Sequence, residues 1–141
     1  MTPLDLTSGP PRPPRAELDG VINLPRSIDK VRATLPGGNI GEYKIPGFTQ
    51  MMLDTLGIPL ETFTAAVAAA SSDAEVWDRI KSQTTREKVA EWNAKVVQAK
   101  PRGGNREEAL QFYPWLASRP DLVFTVDVLE EDDKQLFAVR P

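Results

Sequence analysis

The chain reads as a mainly α-helical protein: a small bundle of five or six short helices, with a proline-rich N-terminal arm and a C-terminal β-hairpin. Three observations predict this. Apolar residues recur at helical spacing through the middle of the sequence, capping signals open several of those stretches, and five prolines crowd the first fourteen residues. At 141 residues the expectation is one domain, with an arm over 1–22, a helical core over 23–120 and an acidic hairpin over 121–141.

Pro3, Pro10, Pro11, Pro13 and Pro14, with Gly9 and Gly20, deny the arm helix hydrogen bonds and predict an extended path. Pro10, Pro13 and Arg15 also fit a PxxPxR docking pattern, which is short and common, so the arm is expected to pack on its own core. Asn23 then predicts the cap of a helix that accepts Pro25 in its first turn. Leu24, Ile28, Val31 and Leu35 make its apolar stripe, and Pro36-Gly37-Gly38 ends it.

A short helix follows Pro46-Gly47, with Phe48, Met51, Met52 and Leu56 facing inward and Gly57 as its stop. The next begins near Pro59 and buries Leu60, Phe63, Val67 and Ala70. Ser72 with Glu75 and Thr84 with Glu87 read as capping boxes. The first opens a helix with Val76, Trp77 and Ile80 inside; the second opens a longer one with Val89, Trp92, Val96 and Ala99, supported by the Glu91–Lys95 pair. Asn105 with Glu108 starts another, which Pro114 should kink or finish. From Leu122 the period changes to two, so Leu122–Leu129 reads as a strand paired with Gln135–Val139 across a charged turn at Glu130–Lys134.

Composition excludes several kinds of chemistry. With neither cysteine nor histidine there is no thiolate or imidazole nucleophile, zinc site or histidine switch, and no cofactor is expected. The longest apolar run, Ala65–Ala70, is far below the ~20 residues of a membrane span. Absence of cysteine and of a basic, apolar leader at Met1–Asp5 points to a cytoplasmic protein. Net charge is −3; residues 121–141 hold six acids and two bases (−4), leaving +1 for the rest. No basic stripe is available for phosphates, so nucleic acid is not an expected partner.

Asp5-Leu6, the run Gly9–Arg15, Leu24–Ala33, Gly41-Glu42-Tyr43, Leu56-Gly57-Ile58 and Ser72–Trp77 together resemble the bacterial domain-of-unknown-function family 5069 (DUF5069), over roughly residues 4–95. The resemblance implies a bacterial source and brings no activity, substrate or cofactor. It draws attention to Arg12, Arg15, Arg26, Asp29, Lys30, Arg32, Glu42 and Tyr43, which lie inside the matching motifs.

The candidate ligand-binding residues are Arg12, Arg15, Arg26, Lys30, Arg32, Glu42 and Tyr43. Arginine forks suit phosphate or carboxylate. At 100° per residue Arg26 and Lys30 fall opposite the apolar stripe and Arg32 at its edge, so the cluster divides into two sets. The plain alternative is that Arg26 and Lys30 are solvated while Asp29, Glu17 and Asp19 pair with the arginines and staple the arm. The basic loop Lys100–Arg106 lacks P-loop spacing, and Glu130–Asp133 lacks a cation-binding framework, so a helix connection and a solvated hairpin tip are expected there. Trp77, Trp92 and Trp115 read as core.

The leading functional expectation is a non-enzymatic binding or regulatory module for a small anionic ligand or a partner protein. A metal-independent isomerase or lyase pairing Arg or Lys with Glu42, Asp29 or Tyr43 is the alternative, and a structural subunit with an apolar interaction face is the third reading. Oligomeric state is left open by the sequence.

Overall fold

A computed structural model describes residues 1–138. Among these the chain is mainly helical: α1 (Leu24–Thr34), α2 (Phe48–Leu56), α3 (Leu60–Ala69), α4 (Asp73–Ile80), α5 (Arg86–Gln98), α6 (Arg106–Phe112) and α7 (Thr125–Leu136), preceded by a two-stranded hairpin of β1 (Glu17–Leu18) and β2 (Val21–Ile22). No helix among the described residues is long and apolar enough to cross a membrane. The chain divides into two compact units, Met1–Asn93 and a second from Ala94 onward.

In the first unit α1 is the central element, packed by β1, α2 and α3, with α4 against α3. Nine of its eleven residues are buried, including Arg26, Asp29 and Lys30. The apolar stripe seats Leu24, Ile28 and Val31 as expected, but the face read as solvated is covered too. Asn23 holds the N-cap position, its carbonyl accepting from Ser27 N–H, but its side chain makes no capping hydrogen bond. It sits in a left-handed conformation (φ 74°), its Nδ2 donating to the carbonyl of Pro14 while its Oδ1 accepts from the Ser27 hydroxyl. Ser27 Oγ also meets Thr49 Oγ1 at 2.9 Å, so one buried polar chain ties the arm to α1 and α2.

The arm is pinned along its length. Leu6 N–H donates to the carbonyl of Asn39 and Asn39 N–H to that of Leu4, Leu6 is fully buried, and the terminal ammonium donates to the carbonyls of Val67 and Ala68 at the end of α3. Its last residues are not extended arm, as expected for 1–22, but a hairpin. Asp19 (φ 49°) and Gly20 (φ 77°) form the two-residue turn whose twist matches paired strands, in the register Glu17↔Ile22 and Leu18↔Val21. Asn93 of α5 closes its edge, donating to the carbonyl of Gly20 and accepting from Ile22 N–H, and Trp92 Nε1 donates to the carbonyl of Ile22.

Phe63, Val67, Trp77, Ile80 and Trp92 fill the rest of this core, with Phe48 edge-on to Trp92 at 6.0 Å. On α2 Leu53 takes the buried place expected of Met51, which is exposed. The Ser72 cap is present on Glu75 N–H, although the Glu75 carboxylate accepts from Ser71 rather than Ser72. The second cap shifts by one residue, since it is Thr85 Oγ1 that accepts from Lys88 N–H.

In the second unit Asn105 caps α6 as expected, and Pro114 ends it in a 3-10 segment over Pro114–Ser118. Ala109, Leu116 and Val128 form its small core, with Tyr113, Trp115 and Leu122 half-covered around it. The expected C-terminal hairpin is instead α7; the part of its second strand at Val139 lies outside the described residues. Alternation through Val126 and Val128 fits either structure, but Glu130–Lys134 holds no glycine for a tight left-handed turn, and Glu130, Glu131 and Lys134 favour helix. Helix therefore propagates through the charges.

Glu130→Pro should accordingly cost about 3 kcal/mol in the interior of α7, where a hairpin tip would tolerate it. Gly20→Ala meets open space and should cost about 1–2 kcal/mol through left-handed backbone strain alone. Urea denaturation of both variants checks the two values.

Candidate functional site

Arg12 leaves the arm between the buried Pro11 and Pro14 and enters a pair of carboxylates. Its Nε and backbone N–H donate to Asp29 Oδ2 (3.0 and 2.8 Å), Nη2 donates to Asp29 Oδ1 (2.9 Å) and Asp73 Oδ1 (3.1 Å), and Nη1 donates to Asp73 Oδ2. Asp29 comes from the middle of α1 with its side chain 6% exposed, and Asp73 from the first turn of α4, 61 residues from Arg12. Three segments thus meet at one guanidinium. Arg12 is raised above its ordinary pKa, chiefly by the Asp73 hydrogen bond and then by Asp29 against the opposing cost of burial. Asp73 is lowered, first by the Arg12 hydrogen bond.

Beside this junction lies an open hollow of about 510 Å³, lined by Leu4, Pro10, Arg12, Asp29, Arg32 and Asp73. Arg32 Nε donates to the carbonyl of Thr2 at 2.9 Å, which fixes the guanidinium plane. Among the described residues its terminal nitrogens make one approach, Nη1 to Asp29 Oδ1 at 3.8 Å, beyond hydrogen-bonding distance. The arm and α1 therefore present one two-pronged cation to the hollow, next to carboxylates already engaged by Arg12.

The other predicted residues fall into a second set. Arg26 and Lys30 lie one turn apart on α1 and both stand against the ring of Tyr43, at 5.6 and 5.9 Å from its centroid. Arg26 Nη1 donates to the carbonyl of Arg12 and Lys30 Nζ to that of Lys44. Both are buried, which overturns the reading of them as solvated. Arg15 and Glu42 are exposed, and Tyr43 belongs with Arg26 and Lys30, so the seven candidate residues do not gather at one site.

Of the expected staples, Asp29 holds Arg12 and approaches Arg32, whereas Asp19 accepts from Trp77 Nε1 (2.6 Å) and Arg86 Nη2 (2.7 Å). Glu17 is exposed on β1. Asp73 was missed as a partner; the one signal for it was its place inside the Ser72–Trp77 motif. In the second unit Arg106 donates to the carbonyls of Leu116, Arg119 and Leu122 and closes the backbone there, and Arg102 stacks on Phe112 at 3.3 Å. Glu130–Asp133 lies within α7. Among the described residues no three Asp or Glu side chains gather as metal ligands.

Fold and site together define a mainly helical protein built around one buried, charged helix that an N-terminal arm clamps through an arginine. The chain belongs to the family described as Domain of unknown function (DUF5069), whose model matches residues 8–135, most of its length. No curated protein matches it significantly.

Arg12→Gln leaves Asp29 buried without its principal cation and should destabilise by about 2–3 kcal/mol, at the low end for a buried pair because Arg12 is itself 38% exposed. A carboxylate depressed in the folded state stabilises the fold above its unfolded pKa and loses that contribution as pH falls through the folded value. Glu75 is lowered from 4.5 to about 2 by the Ser71 N–H, the Ser71 hydroxyl and Arg79, and Asp73 moves in the same direction. Stability should therefore decline between about pH 4.5 and 2, and Arg12→Gln should flatten the Asp73 part of that decline in denaturation curves taken across the range.

Proposed function

We propose that this is a non-enzymatic binding module, cytoplasmic and of bacterial origin, that takes a small organic carboxylate in the hollow beside the Arg12 junction. The observation that carries the reading is Arg32. Its Nε is anchored on Thr2, and its terminal edge, the edge that pairs bidentately with a carboxylate, borders the hollow with one approach at 3.8 Å. A guanidinium serving only as a staple would close on Asp29 at hydrogen-bonding distance, as Arg12 does.

The surroundings favour an anion of modest size. Arg12 spreads its charge over Asp29 and Asp73, so the two carboxylates repel an incoming anion less than bare acids would. Leu4 and Pro10 offer apolar wall to a short carbon chain. The arm's prolines restrict the free chain, so holding Thr2 and Pro10 in place costs less entropy than ordering a flexible tail. Absence of cysteine supports the cytoplasmic assignment, and the family likeness supports the bacterial one.

A panel of mono- and dicarboxylates at constant ionic strength should contain members that raise the melting temperature saturably, by the equivalent of about 2.7 kcal/mol at a hundred times the dissociation constant. Arg32→Gln should abolish that rise while the unliganded protein melts within a few degrees of wild type. Absence of a saturable shift in wild type across the panel, or its survival in Arg32→Gln, overturns the assignment.

A further inference from the structure

We infer that the ligand of the hollow is a zwitterion, an α-amino acid with a short aliphatic side chain, whose carboxylate lies on Arg32 and whose ammonium lies on Asp73. The inference rests on the carboxylate reading of the hollow and adds to that ligand a second charge of opposite sign.

The first support is charge balance. Two guanidiniums, Arg12 and Arg32, and two carboxylates, Asp29 and Asp73, border the hollow, so their formal charges cancel. Met1 borders it as well, but its ammonium donates to the carbonyls of Val67 and Ala68 at the negative end of α3. A simple carboxylate on Arg32 would leave one negative charge in excess beside Asp29, whose side chain is 6% exposed. A ligand that brings one charge of each sign preserves the balance.

Acceptor capacity is the second. Each carboxylate oxygen can accept two hydrogen bonds. On Asp29, Oδ2 takes the Arg12 backbone N–H and Nε, while Oδ1 takes Arg12 Nη2 and faces Arg32 Nη1. Among the described residues Asp73 takes one guanidinium nitrogen on each oxygen, and its side chain is 28% exposed, so each oxygen keeps room for a further donor. Arg12, with Arg32 behind it, holds Asp73 ionised and therefore ready for a cation.

Spacing is the third. Arg32 Nη1, Asp29 Oδ1, Arg12 Nη2 and Asp73 Oδ1 follow one another in steps of 3.8, 2.9 and 3.1 Å. The open fork and the open acceptor thus belong to adjacent groups, which suits an ammonium and a carboxylate carried on one carbon. Charges at the two ends of a longer chain would overshoot one partner. Leu4 and Pro10 then supply apolar wall for the side chain, and a hollow of about 510 Å³ admits valine or leucine.

The test is calorimetric titration of the full chain with L-valine and L-leucine, each against its 2-hydroxy acid, in which a hydroxyl replaces the ammonium. At least one amino acid should bind saturably and at least about tenfold tighter than its hydroxy acid. In Asp73→Asn that preference should shrink to about twofold or less, whatever the variant does to affinity as a whole, because the ratio is taken within one protein. The wild-type comparison stands on its own if Asp73→Asn fails to fold. Equal binding of amino and hydroxy acids in wild type overturns the zwitterion and leaves the carboxylate reading intact. No binding of either kind overturns both. A preference that survives in Asp73→Asn places the ammonium elsewhere and overturns the assignment to Asp73.

Discussion

The first unit depends on one arginine reaching two carboxylates. Arg12 carries the arm, Asp29 is the interior of α1 and Asp73 is the opening turn of α4, so their junction determines where three segments meet. A buried carboxylate without a cation is among the most expensive things a fold can contain. Once Asp29 is placed inside, the arm has to lie where Arg12 can reach it. The proline path supports this: Pro11 and Pro14 are buried on either side of Arg12, and Asn23 holds the carbonyl of Pro14 from below. Asp73 gains further from its place at a helix N-terminus, where the dipole favours negative charge.

This arrangement makes α1 unusual among amphipathic helices. Its apolar stripe faces α2 and α3, while its polar side is covered by the arm, the 40–46 loop and the opening of α4 rather than by water. Charges that would be solvated on a surface helix are thereby held at defined angles. On one flank Arg12 neutralises the acids and Arg32 keeps its fork toward the hollow; on the other, Arg26 and Lys30 share one aromatic ring. The division of the basic residues into two sets follows from helical geometry alone, and the covering segments turn each set into a distinct chemical environment.

The second unit shows the same economy with fewer residues. Its core is small, and Arg106 compensates by gathering the carbonyls of Leu116, Arg119 and Leu122 in the segment between α6 and α7. A basic residue that looks like part of an anion-binding loop in the sequence serves here as a backbone fastener. α7 begins where Thr125 N–H donates to the carbonyl of Ala99, which places its first turn against the end of α5 within the same unit.

The six helices up to Pro114 were legible in the sequence because their signals are local: apolar residues three and four apart, Ser72 and Asn105 at helix starts, Gly57 and Pro114 at ends. The hairpin at Asp19-Gly20 was equally local and was hidden by the prolines before it. Where two local readings compete, as at Val126–Val128, alternation and helical spacing coincide over so short a run, and the helix formers of Glu130–Lys134 carry the segment into α7. The residues of the candidate site were visible as residue types, and their division into two sets as angles on a helix. Their partners were not, because a pairing such as Arg12 with Asp73 spans 61 positions and leaves no periodic trace. Sequence by itself determined the helices and the chemistry available to the protein. Tertiary structure alone decided which charges are buried, which are neutralised and which still face open space, because those depend on the segments that come to lie over them.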